Sequence, residues 1–113
     1  MEKLRIYQKS LDLVAKIYKL IRENPALAKD FSLNDQLKRA AVSIVACIAE
    51  GYCRSKKQFQ HYLDISSGST NEMVALLQVV TNVYNINTEE LQHDYKVLGK
   101  QINSFSMNLI SNN

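Results

Sequence analysis

The sequence predicts an all-α protein, an antiparallel up-down-up-down four-helix bundle, on three observations. Apolar residues recur at steps of three and four along four stretches, the period of one helix face. Short polar breaks separate the stretches, and short connections make successive helices antiparallel neighbours. Three Gly and one Pro in 113 residues are too few for a turn-rich β fold or a disordered chain. Helices are expected at about residues 4–23, 33–53, 56–84 and 88–110, in one domain spanning 1–113. For a chain of 12.9 kDa, area scaling gives roughly 6,300 Å² exposed when folded against roughly 18,700 Å² unfolded, enough burial for a core without staples.

The first helix carries Leu4, Tyr7, Leu11, Val14, Tyr18 and Ile21 on one face, widened by Ile6, Leu13, Ile17 and Leu20. Arg5, Lys9, Asp12, Lys16 and Lys19 lie opposite. Asn24 followed by Pro25 ends it, because a residue before proline is pushed out of the α region. The second helix is expected to start after Ser32 or Asn34, both good N-caps. Leu33, Leu37, Ala40, Ala41, Ile44 and Ile48 form one apolar stripe, and Val42, Ala46 and Ala49 a second. Only Gln36, Arg39, Ser43, Cys47 and Glu50 remain as a polar seam. A helix apolar nearly all round is buried on more than one side, so another subunit or a closely packed helix is expected over the second stripe.

Gly51 reads as the stop of this helix, and Ser55 with Gln58 as a capping box for the third. Phe59, Tyr62 or Leu63, Ser66, Ser69 or Thr70, Met73, Leu76 or Leu77, Val80, and Val83 or Tyr84 then follow heptad-like spacing. The small run Ser66-Ser67-Gly68-Ser69-Thr70 reads as a flat patch for close helix approach, since Gly inside a helix costs about 1 kcal/mol in propensity. Asn85 and residues 87–90 supply the next break and cap, and Leu91, Tyr95, Leu98, Ile102, Phe105 and Leu109 form the stripe of the fourth helix.

Residues 1–57 hold 12 of the 14 Lys and Arg. In the bundle, the start of the first helix and the turn at 52–57 share one end. That end gathers Arg5, Lys9, Arg54, Lys56 and Lys57, with Lys3 and Tyr52 among them, as one continuous basic surface. A phosphate backbone, RNA or DNA, is the partner such a surface fits, while a Lys-rich turn that only aids solubility is the plain alternative. Arg39 and Glu72 are level across the second and third helices and are expected to form a partly buried ion pair.

Site chemistry is sparse. Glu90 and His93 make one Glu-x-x-His, but a di-iron centre needs two such motifs and two further Glu. Cys47 and Cys53 lie about 240° apart on a helix wheel, and no positioned base and orienting group accompany either. No catalytic residue, cofactor or metal is expected, and the protein is read as not an enzyme. No run reaches 18 uncharged apolar residues, so no membrane contact is expected. Charges occupy the first residues, where a signal peptide needs an apolar run. The expected compartment is the cytoplasm.

Leu33, Gln36, Arg39, Ala40, Ala41, Ser43, Ile44, Ile48, Ala49, Glu50 and Gly51 resemble the signature L-x-x-Q-x-R-A-A-x-S-I-x-x-N-I-A-E-G, with Arg54 in place after it. Phe59, Leu63, Gly68, Ser69 and Glu72 resemble its second block, and Leu4, Tyr7, Gln8 and Lys9 its start. The signature is that of the four-helix-bundle proteins encoded in intervening sequences of bacterial 23S ribosomal RNA genes. The resemblance covers roughly residues 4–84 and implies a helical bundle, a homopentameric ring and no established enzymatic activity. A fold-level relative, the accessory protein of diversity-generating retroelements, binds nucleic acid and a reverse transcriptase. This chain departs from the pattern at Cys47, where the family usually has Asn, and at Val45, where it often has Pro. The expected function is a homo-oligomeric, non-enzymatic nucleic-acid-binding accessory protein. The alternative is a protein-interaction scaffold whose partner is another protein.

Overall fold

The computed structural model describes residues 2–111. Helix α1 (Glu2–Glu23) packs on α3 (Phe31–Gly51) and α5 (Glu89–Ser111), and α4 (Lys56–Tyr84) packs on the same two. The long helices therefore form a square, with α1 and α4 on one diagonal and α3 and α5 on the other. A five-residue helix, α2 (Pro25–Lys29), closes the α1–α3 connection and buries Leu27. The bundle measures 49 × 21 × 19 Å and exposes 6665 Å².

The breaks follow local chemistry. Asn24 is extended (φ −126°, ψ 91°), as a residue before proline should be, and Pro25 opens α2. The cap of α3 is Asp30, upstream of the expected Ser32 or Asn34. Its Oδ1 accepts from the Leu33 N–H at 3.1 Å, while Asn34 turns back to donate to the Ala28 carbonyl. The third cap is as expected, with Ser55 Oγ accepting from the Gln58 N–H at 3.2 Å. Asn85 ends α4 in the left-handed region (φ 57°), which Asn tolerates. Buried Thr88 then ties the start of α5 to the Leu77 carbonyl at 3.0 Å.

Three of the four apolar stripes face inward as expected. Leu33, Leu37, Ala40, Ala41, Ile44 and Ile48 are all buried, as is the line from Phe59 to Val80 in α4. Tyr95, Leu98 and Ile102 form the centre of the α5 stripe. In α1 the expectation is corrected. The core line is Ile6, Ser10, Leu13, Ile17 and Ile21. Leu4, Leu11 and Tyr18, expected inside, are 56%, 38% and 39% exposed, about 120° around the helix at 100° per residue. Burial of the Ile6–Ile21 line sets this rotation, and the outward side then makes surface contacts: Lys16 Nζ reaches Asp94 on α5 at 3.4 Å, and the Tyr18 ring meets Lys38 on α3.

The small run in α4 serves two neighbours. Ser66 Oγ donates to the Ile44 carbonyl of α3 at 3.3 Å. Thr70 meets Gly99 of α5, where a Cβ would lie 2.6 Å from Thr70 Oγ1. Gly68 itself faces open space, so close packing within the chain does not account for it. Opposite responses to alanine are expected. At Gly99, overpacking of about 1–3 kcal/mol should outweigh a propensity gain of roughly 0.5–1 kcal/mol, and Gly68→Ala should show the gain alone. Urea denaturation of both variants checks the contrast.

Asp30 also accepts a hydrogen bond from Tyr84 Oη at 2.6 Å, joining the start of α3 to the end of α4. That bond, and then the Leu33 N–H, hold the Asp30 carboxyl below its ordinary value, while Asp30 holds the Tyr84 hydroxyl above its own. A lowered carboxyl contributes stability that is whole above the ordinary Asp value of about pH 3.9 and is lost as pH falls through the lowered one. The raised phenol contributes stability that is whole below about pH 10 and is lost as pH rises through its raised value. Thermal midpoints should fall at both extremes, and Tyr84→Phe should flatten the acid limb.

Candidate functional site

The turn between α3 and α4 occupies residues 52–55. It is tight because Gly51 has no side chain: a Cβ there would lie 2.5 Å from Phe59 Cδ1. No glycine has positive φ, so Gly51 acts as a seat for Phe59 and not as a left-handed stop. The Arg54 N–H donates to the Gly51 carbonyl at 3.1 Å, closing the turn.

Phe59 is the centre of an aromatic cluster. Its ring lies 5.9 Å from that of Tyr52 and 5.8 Å, edge-on, from that of Phe105 at the end of α5. Tyr52, Phe59, Phe105 and Leu109 line a cleft of about 490 Å³. Lys3, Arg54 and Lys56 stand around it, together with Glu2. Lys3 Nζ sits 4.9 Å above the Tyr52 ring, and the Arg54 guanidinium 5.6 Å from the centre of the Tyr62 ring. Such cation–ring contacts contribute about 0.5–1 kcal/mol at exposed sites. Glu50 accepts a hydrogen bond from Arg54 Nη2, one turn away on the chain, and holds the guanidinium proton more tightly than usual.

The expected basic residues share this end but not one surface. Arg54 and Lys56 border the aromatic cleft. Arg5 and Lys9 line a separate depression on α1 with Leu4, Gln8 and Asp12. Lys57 lies in a third, beside His61 and Asp64. Arg5 also pairs with Glu2 at 3.7 Å. The continuous patch is thus corrected to three clusters, because the cations project from different sides of α1 and α4. Lys3 and Tyr52 take their expected places. The parts that sequence reasoning missed are Phe59, Phe105 and Leu109 as a cleft lining. Their signal is the antiparallel register of α4 and α5, in which the start of one lies beside the end of the other.

The Arg39–Glu72 pair is not formed. The two positions are level, as Ser66 against Ile44 confirms. Arg39 instead bonds Asp35, one turn earlier, at 2.7 Å with its side chain 79% exposed, and Glu72 is exposed. Arg39 sits on the outer edge of the seam, where a carboxylate on its own helix is nearer than one across the groove.

The second stripe of α3 has no cover within the chain: Val42 is 46% exposed, and Ala46 and Ala49 are exposed. It adjoins the outward line of α1. Lys3 over Tyr52 and Lys38 over Tyr18 set α1 antiparallel along α3, which brings Leu11 level with Val45. Leu4, Leu11, Tyr18, Val42, Ala46 and Ala49 thus share one side of the bundle. Cys47 is half-buried, Cys53 exposed, and both are free thiols. Glu90, in the first turn of α5, and His93, just beyond that turn, are exposed. Among the described residues, no helix is long and apolar enough to cross a membrane.

Comparison with known proteins accords with this architecture. A crystal structure at 1.70 Å of a protein of unknown function from the S23 ribosomal protein family of Bacteroides thetaiotaomicron superposes with a TM-score of 0.84 at 24% identity, covering 95% of this chain and 99% of that one. At that identity the likeness speaks for the fold. No curated protein matches the chain. The 23S rRNA-intervening sequence protein family matches residues 2–104. With residues 2–104 matched and the helical bundle that the signature implies in place, this protein belongs to the 23S rRNA-intervening sequence protein family.

Proposed function

We propose that this chain is a non-enzymatic, self-assembling helical bundle of the cytoplasm that binds the phosphate backbone of RNA or DNA through its basic end. The observation that carries the reading is the gathering of Lys3, Arg54 and Lys56 around one cleft, flanked by Arg5 and Lys9 on one side and Lys57 on another. Against the six cations stand four carboxylates, Glu2, Asp12, Glu50 and Asp64, of which Glu2 and Glu50 pair with Arg5 and Arg54, and a net excess of positive charge remains. Phosphates are the common anions that present charge at regular spacing to such clusters. No element at this end has the form of a base-reading helix, so recognition follows backbone and shape.

Assembly is proposed through the side of the bundle that carries Leu4, Leu11, Tyr18, Val42, Ala46 and Ala49. An apolar line on each of two adjacent helices is the pattern of a surface meant for cover. A cyclic ring built on that side keeps every basic end on one face of the assembly, and the family resemblance favours five subunits. Linking several weak sites in this way raises avidity by about 10²–10⁴ without new contacts. Phe31 and Met107, exposed elsewhere on the surface, favour the second reading, in which the assembly docks another protein.

Fluorescence anisotropy with labelled RNA and DNA at about 50 mM salt should show micromolar or tighter binding, with a log–log salt slope of about −0.9 per duplex phosphate engaged or −0.7 per single-strand phosphate. Reversing Arg54, Lys56 and Lys57 together to Glu should abolish it while leaving the assembly intact. No binding, or binding indifferent to the reversal, would transfer the assignment to the scaffold reading. Light scattering should find multimers that Val42→Glu combined with Ala46→Glu converts to folded monomers, and a monomeric parent at high micromolar concentration would remove the ring.

A further inference from the structure

Backbone binding needs cations, but it does not need an aromatic cleft between them. Tyr52, Phe59 and Phe105 bring three rings to one place, and Leu109 extends the apolar lining. Its volume, about 490 Å³, is no larger than that of the depressions beside Arg5 and Lys57, so what sets the cleft apart is this aromatic lining. Its rim is cationic. The ligand chemistry that fits is a flat apolar body joined to an anion, with further anions on either side to meet Arg5, Lys9 and Lys57.

We infer that the cleft receives one unstacked base of a single-stranded nucleic acid, while Lys3, Arg54 and Lys56 hold the phosphates beside it. The inference rests on the backbone-binding reading and specifies what the site grips. A base inside a duplex offers its face only to its neighbours, whereas a base in a loop or at a strand end is free to stack on a side chain. In the free chain Lys3 covers the Tyr52 ring at 4.9 Å. Its flexible arm can exchange that ring for a phosphate and leave the ring face to the base. Tyr52 is half-buried and held against Phe59, so the platform exists before the ligand arrives. Phe59 in turn keeps its place through the missing side chain of Gly51.

The test compares a short fluorescein-labelled single strand with a strand of equal length and phosphate number whose central sites are abasic, by anisotropy at low salt. The intact strand should bind about tenfold or more tightly than the abasic one, the scale of a stacked base. Tyr52→Leu should bring the intact strand down to the abasic level without changing the salt slope, and Tyr52→Phe should restore the difference. Should circular dichroism show that Tyr52→Leu is unfolded, Leu109→Glu, which sets a carboxylate in the cleft, should produce the same loss. Equal binding of the two strands, or discrimination that survives a folded cleft variant, overturns the inference and leaves backbone binding standing. Failure of both strands to bind while a duplex of equal phosphate number still binds overturns this inference alone, and failure of the single strands and the duplex alike overturns the proposed function with it.

Discussion

Phe59 can reach the end of α3 only because Gly51 has no side chain, and that contact fixes the rotation of α4 against α3. With that rotation set, Ser66 falls beneath the Ile44 carbonyl, and Leu63, Met73, Leu77 and Val80 turn inward. Thr70 is left facing α5, which approaches closely because residue 99 is also glycine. Truncating a buried Phe costs about 3–5 kcal/mol in other cores, a large part of the 5–15 kcal/mol that holds a domain together. The same ring joins Tyr52 to Phe105, so one packing event seats the hairpin and builds the cleft at its end.

What could be read in the sequence was whatever depends on spacing and local caps. The α3 and α4 stripes, the Ser55 cap, the pre-proline break and the left-handed Asn85 all follow from rules acting within a few residues. What could not be read was the outcome of competition. Two apolar lines run along α1, and periodicity alone does not choose between Ile6–Leu13–Ile17 and Leu4–Leu11–Tyr18. The choice is made by the apolar faces of the other helices, against which Ile6, Leu13 and Ile17 are buried, with Lys16–Asp94 and Lys38–Tyr18 closing the outer side. Asp30 wins the α3 cap because Tyr84, 54 residues away, also holds it. Arg39 stands level with Glu72, as the spacing predicts, yet pairs with Asp35, the nearer partner on its own helix. At the basic end the residue types were legible. Their division into three clusters depends on which side of each helix they occupy.

The two surfaces proposed for function lie at right angles, one along the side of α1 and α3, the other at the end. Assembly by the side therefore leaves the end open. It also crowds like charges, since each chain carries a net charge of +3 and the excess lies toward that end. Copies set side by side with basic ends together repel one another there, and a polyanion laid across them relieves that repulsion. A ligand that binds the assembled form more tightly than the separate chains stabilises the assembly by mass action. Under the proposed function, binding and assembly would reinforce each other through the same charges.

The turn at residues 52–55 has no slack. The Arg54 N–H is committed to the Gly51 carbonyl and the Ser55 carbonyl to the Phe59 N–H at 2.8 Å, with the Ser55 hydroxyl on Gln58. One added residue carried into α4 would turn that helix by about 100° and slide it by about 1.5 Å. Ile65 and Glu72 would be driven toward the core, and Leu63 and Thr70 out of it. Chain length here is as constrained as residue identity in the core: a relative can change its surface charges singly, but it can alter the number of residues between Gly51 and Phe59 only by rebuilding the interface between α3 and α4.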